Sequence, residues 1–146
     1  FLCIYNLRIN SDDNYLPLLF IFFVCISTDI GGYFFGKLFK GPKLTKYSPN
    51  KTFTGMIGSF IFSIISMFIF INIFSEPNFS VKLMIFTIMI SLISQLGDII
   101  ISYFKRKSNI KDTGKIIPGH GGLLDRIDGM IFAFPFSYIL ILINFF

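Results

Sequence analysis

Charge is scarce in this 146-residue sequence: 14% of it is Asp, Glu, Lys or Arg, against 53% hydrophobic residues. So few polar residues cannot cover 21 phenylalanines in one small domain, which excludes an ordinary soluble globular protein. Only two cysteines occur, Cys3 and Cys25, so there is no disulfide framework, and no spacing suits zinc. Cys25 lies in an apolar run and reads as packing. The Walker pattern GxxxxGK[ST] is missing, which excludes an ordinary P-loop NTPase. Neither a repeat nor a low-complexity linker is present. The first residues, FLCIYNLRINSDDNY, lack the charged start, apolar core and cleavage site of a signal peptide. Without an initiator Met, the chain is expected to begin part-way through a longer protein.

What the chain does have is long apolar runs. A bilayer core of about 30 Å needs roughly 20 mostly apolar residues as a helix. The segments Leu16–Phe35, Met56–Phe74, Val81–Tyr103 and one from about Met130 to Phe146 meet or approach that length. The last is short and holds Pro135. The fold class expected is therefore all-α, a polytopic transmembrane bundle of about four spans forming one membrane domain over 1–146. The turn SEPNFS (75–80) makes the second and third spans an antiparallel hairpin.

A net charge of +5 could serve nucleic acid or a membrane surface, and its distribution decides. Residues 36–55 carry five lysines and no acid, and residues 104–129 carry Lys105, Arg106, Lys107, Lys111, Lys115 and Arg126. Two spans separate these segments, so both lie on one face, which the positive-inside rule makes cytoplasmic. Membrane sidedness accounts for the charge, and no nucleic-acid partner is expected.

Two carboxylates break the apolar runs, Asp29 and Asp98. Each costs about 2.5–3.5 kcal/mol at membrane depth, so each needs a partner or a task. Ser91, Ser94, Gln95, Asp98 and Ser102 recur at helical spacing and form one polar stripe. Serines of this kind commonly join helices, but a carboxylate does not improve packing in lipid, and Asp98 is read as a site residue. Asp29, Gly32 and Gly36 share a face on which another helix can approach closely.

Between the third and fourth spans lies KDTGKIIPGHGGLLDRIDG (111–129). Asp125 and Asp128 are three apart at the start of a helix, so both can point to one face. Helix capping by Asp125 is the bland explanation. It leaves the neighbours unexplained: Gly119, Gly121 and Gly122 around His120 let backbone amides approach an anion. Lys105, Arg106, Lys111 and Arg126 add cations suited to phosphate. Oxygen ligands beside phosphate-binding cations favour Mg²⁺, with a nucleoside triphosphate, a phospholipid headgroup or both. His120 contacts phosphate or holds the loop in this reading, rather than moving a proton.

The run SYFKRKSNIKDTGKIIPGHGGLLDRID (102–128) resembles the signature of the phosphatidate cytidylyltransferases, or CDP-diacylglycerol synthases. SQLGD (94–98) and DIGGYFFGKLFKGPKL (29–44) resemble the same family. So does YSPNKTFTG (47–55), except that Phe53 stands for the usual Trp and Thr54 for the usual Glu. The resemblance covers about residues 16–146 and implies a carboxyl-terminal portion, because family members begin with further spans. It implies CTP + phosphatidate → CDP-diacylglycerol + pyrophosphate at the cytoplasmic face of a bacterial inner membrane. By analogy Asp98, Asp125 and Asp128 hold Mg²⁺, some members using K⁺ as well, and Lys111 joins these aspartates in catalysis. Ser48, Lys51, Thr52, Lys105, Arg106, His120, Gly121, Gly122 and Arg126 would bind CTP and phosphatidate. A homodimer is compatible with the family. Three other readings fit parts of the sequence: a CTP-dependent polyprenol or phytol kinase, a transporter or channel fragment using Asp29 and Asp98, and an inactive fragment. The first gives free CDP and a phospholipid; the second needs neither the basic loops nor their glycines.

Overall fold

A computed structural model describes residues 3–5, 15–45, 48, 51–74, 80–108, 110 and 124–143, with only the backbone of 124–126. Among the described residues four long helices follow in order: α1 (Leu16–Phe39), α2 (Phe53–Phe74), α3 (Val81–Lys107) and α4 (Leu124–Leu142). The fold is an all-α membrane bundle. Among the described residues the sole strand-like pairing is an isolated bridge between Lys43 and Thr52.

Helix starts follow local chemistry. Pro17 sits in the first turn of α1, where no amide partner is lost. Thr52 caps α2: its carbonyl accepts from Met56 N (3.0 Å) and its Oγ1 from Gly55 N (3.1 Å). Ser80 caps α3 by accepting from Lys82 N at 3.2 Å.

The helices run past the expected apolar limits at one end of the bundle. α1 continues beyond Phe35 to Phe39, α3 beyond Tyr103 to Lys107, and α2 begins ahead of Met56. Hydropathy marks where lipid ends, whereas the helix ends where its hydrogen bonding does. In α1 that point is Lys40, left-handed at φ 42°, whose amide returns to Gly36 O. α1, α2 and α3 are long and apolar enough to cross a membrane. The fourth span is the short one expected, with an apolar run of Ile127–Leu142 among the described residues and Pro135 inside the helix.

α1 and α2 pack closely along small residues, as apolar helices do when lipid removes any hydrophobic reason to associate. A methyl added at Gly31 would lie 2.6 Å from Gly58 O, and one at Gly55 would lie 2.7 Å from Gly32 O. Ser59 Oγ donates to Thr28 O at 2.8 Å across this seam. The close contact expected of the Gly32 and Gly36 face is therefore present. Towards the other end, Phe20 meets Phe70 edge-on (5.1 Å between centroids), and Ile21, Met67 and Ile90 are fully buried.

The segment between α1 and α2 is a closed clasp. Leu44 N donates to Lys51 O (2.8 Å), Phe53 N to Pro42 O (3.0 Å), and Gly41 N to Thr54 Oγ1 (3.3 Å). Thr54, where the family pattern has Glu, thus holds the clasp through its hydroxyl. The clasp fixes the backbone of Lys51 at the mouth of the bundle.

Gly31→Leu is expected to lower the melting temperature in detergent, since overpacking of this kind costs about 1–3 kcal/mol. Ile57→Leu, at a residue 55% exposed, should leave it unchanged. Equal melting of both variants would contradict the tight seam.

Candidate active site

A cavity of about 350 Å³ opens where α1 and α3 end and α2 and α4 begin. Every element supplies part of its wall. α1 gives Thr28, Asp29, Gly32 and Tyr33, and the clasp gives Leu44, Lys51 and Thr52. α2 adds Gly55, Met56 and Ser59; α3 adds Gln95, Asp98, Ile99 and Ser102; α4 adds Asp128. Three carboxylates thus face one space within a mainly apolar bundle.

Two lysines offset them. Lys51 Nζ lies 2.5 Å from Asp98 Oδ2, with side chains 31% and 15% exposed. Lys105 Nζ lies 3.4 Å from Asp128 Oδ2, each side chain 15% exposed. The Asp98 and Asp128 carboxyls are neighbours on this wall: Asp98 Oδ1 lies against Gly129, whose amide donates to Asp128 Oδ1 at 3.1 Å. Each lysine crosses between elements: Lys51 ties the clasp to α3, and Lys105 ties α3 to α4. At this depth the pairs avoid leaving a carboxylate desolvated and unpartnered.

The polar stripe of α3 divides into two functions. Ser91 and Ser94 are buried in the bundle, where Thr28 Oγ1 donates to Val24 O (2.8 Å) and is hydrogen-bonded with Ser91 Oγ (3.1 Å). Gln95, Asp98 and Ser102 lie further along and face the cavity. Gln95 joins the two halves, its Nε2 donating to Ser91 Oγ at 3.3 Å. One half of the stripe joins helices, and the other half lines the cavity.

Of the residues singled out from the sequence, the structure brings Lys51, Thr52, Asp98 and Asp128 to the cavity wall, with Lys105 bound to Asp128. The Thr52 hydroxyl is committed to capping α2 and to Thr54 Oγ1 at 3.0 Å. Ser48 sits in the clasp, its amide donating to Thr45 Oγ1 (3.1 Å), off the cavity wall. Arg106 is exposed on the last turn of α3, also off the wall. Asp125 is the second residue of α4, within the helix. The side chains of Asp125 and Arg126, and the whole of Lys111, His120, Gly121 and Gly122, lie outside the described residues.

Asp29, Tyr33 and Gln95 also line the cavity without having been placed in the site. Asp29 and Gln95 were visible as polar intrusions in apolar runs. Tyr33 carried a weaker signal, one turn beyond Asp29 on the same face. Among the described residues no three His, Cys, Asp or Glu side chains gather as a complete metal site.

Residues 1–144 match the cytidylyltransferase family. The phosphatidate cytidylyltransferase of Bacillus subtilis (strain 168) is 40% identical over 141 residues, 94% of this chain and 52% of that protein. The phosphatidate cytidylyltransferase of Staphylococcus saprophyticus is 44% identical over 127 residues, 86% of this chain and 48% of its own. That of Brucella suis biovar 1 is 36% identical over 134 residues, 91% of this chain and 49% of its own. The chain spans about half the length of these curated relatives. Matched along almost its whole length, the chain belongs to the cytidylyltransferase family.

Proposed function

We propose that this chain carries the catalytic site of a phosphatidate cytidylyltransferase, which converts CTP and phosphatidate into CDP-diacylglycerol and pyrophosphate. The observation that carries the reading is the cavity where Asp98 and Asp128 adjoin, each with a lysine on its Oδ2. Carboxylates and lysines together suit a ligand made of phosphates and a hard cation. The names of the half-matched relatives point to the same reaction. The excess of basic residues at this end of the bundle supports a cytoplasmic orientation, in a bacterial inner membrane.

In this mechanism an oxygen of the phosphatidate monoester attacks the α-phosphorus of CTP. The bond from that phosphorus to the bridging oxygen of the β-phosphate breaks, and pyrophosphate leaves with the electron pair. The attacking phosphate is already an anion, so no general base is required. The main obstacle is the mutual repulsion of two anions, and the chain's contribution is to hold them in line. Lys51 and Lys105 neutralise phosphate oxygens at the cavity mouth, and Arg106, Lys111 and Arg126 are the further phosphate-binding cations that the family resemblance implies. The N-terminal end of α2, with no acid in its first turn, adds a positive dipole on the same wall.

The donor set suits Mg²⁺. Asp98 and Asp128 offer adjoining carboxyl oxygens on a half-buried wall, and Asp125 is one turn before Asp128. Mg²⁺ usually takes one or two carboxylates and completes its shell with water and substrate phosphates, so a full protein cage is not needed. When bound, the ion supplies charge stabilisation for the leaving pyrophosphate. K⁺ is a second cation suggested by the family resemblance. The lipid reaches the cavity from the bilayer with its tails among exposed apolar residues such as Ile30 and Phe34.

The test is incubation with radiolabelled CTP, phosphatidate and Mg²⁺, using the chain in detergent and the chain joined to the amino-terminal half of a relative. The expected products are CDP-diacylglycerol and pyrophosphate, abolished by EDTA and reduced at least about a hundredfold by Asp98→Ala or Asp125→Ala. A phosphorylated lipid alcohol with free CDP would mean a kinase instead. Turnover unaffected by either substitution would refute the assignment of the site.

A further inference from the structure

We infer that Lys51 is an exchangeable counter-ion, competing with the divalent cation for Asp98 and passing to the nucleotide phosphates when that cation binds. Cation and triphosphate then bind cooperatively. This rests on the cytidylyltransferase reading and adds a linkage between its two ligands.

The argument starts from Asp98 Oδ2. Lys51 Nζ sits on that oxygen at 2.5 Å, one of the two oxygens that Asp98 can offer a metal ion. A cation drawn to this carboxylate meets the ammonium at close range, so the two compete for its charge. The structure also shows why Lys51 is free to leave. Its backbone is held on both sides, N to Ser48 O (3.1 Å) and O to Leu44 N (2.8 Å), so only the side chain has to swing. That side chain is 31% exposed, twice the exposure of Asp98 or of the Lys105–Asp128 pair. A lysine ammonium is a compact charge on a flexible stem and keeps no fixed bidentate geometry.

A destination lies close by. Thr52 follows Lys51 directly and caps α2, whose N-terminal end faces the same cavity. A phosphate drawn to that positive helix end comes within reach of the released ammonium. Lys105 is the poorer candidate for exchange, because it is more buried and anchored on α3. The exchange moves no bonds, only ionic partners. Because binding free energies are linked, whatever triphosphate does for the cation, the cation does equally for triphosphate.

The test uses two probes on the full chain in detergent. The first is CTP with EDTA present, read by calorimetry on wild type, Asp98→Asn, Lys51→Met and the double variant. Asp98→Asn is expected to bind metal-free CTP about tenfold more tightly, because Lys51 is already released. Lys51→Met should bind it more weakly, and the double variant should gain nothing over Lys51→Met. The second probe is Mn²⁺ alone, read by electron paramagnetic resonance. Lys51→Met should bind it about tenfold more tightly than wild type, while Lys37→Met, a lost charge off the cavity wall, should change it less than about twofold. Lys51→Gln replaces Lys51→Met if the latter does not fold.

An equal Asp98→Asn gain with or without Lys51 would mean a general field effect and overturn the exchange. So would unchanged Mn²⁺ affinity in Lys51→Met, or no Mn²⁺ binding to any variant. If CTP binds to no variant while the Mn²⁺ response holds, the nucleotide reading fails and the competition for Asp98 stands.

Discussion

Everything at the basic end of this bundle depends on keeping carboxylates charged inside a largely apolar structure. Asp98 and Asp128 adjoin, and neither is well exposed. Without cations, each would face both desolvation and the repulsion of the other. Lys51 and Lys105 meet that demand, and they come from different elements. The clasp, α3 and α4 are therefore bound to one another through the same contacts that make the cavity polar. Burying charges in this way is weak evidence for stability, since apolar residues would fill the space as well. It is better evidence for a task that needs the charges.

Geometry for that arrangement comes from the α1–α2 seam. Gly31, Gly32, Gly55 and Gly58 bring two backbones close enough that a single methyl would collide. The clasp can then close the short gap between Phe39 and Phe53, with Thr52 and Thr54 holding both ends. A looser seam would carry Lys51 away from α3. The Thr28 hydroxyl extends the register to α3 through Ser91. Glycine contacts that look merely structural thus set the position of a charged side chain.

Much of this was legible in the sequence, for physical reasons that differ from residue to residue. The spans showed themselves because lipid tolerates little besides apolar side chains, and Asp98 because it violated that rule. The basic loops revealed which helix ends gather together. Helix limits were misjudged by about one turn, since hydropathy reports the edge of lipid and not the last hydrogen bond. The pairing of Lys51 with Asp98 was invisible, because nothing local links residues 47 positions apart. Tyr33 was missed for a similar reason: an aromatic in an aromatic-rich run gives no contrast. The cap that the Thr52 hydroxyl makes was hidden as well, because only the exact start of α2 reveals it.

The central claim is that Asp98 and Asp128 form one cation site between α3 and α4. Fe²⁺-directed hydroxyl-radical cleavage tests it most directly, with Fe²⁺ standing in for Mg²⁺ and the cuts mapped by mass spectrometry. The account predicts cleavage in α3 beside Asp98 and in α4 beside Asp128, both suppressed together by excess Mg²⁺. Cuts confined to one of the two helices, or cuts that Mg²⁺ does not suppress, would contradict it.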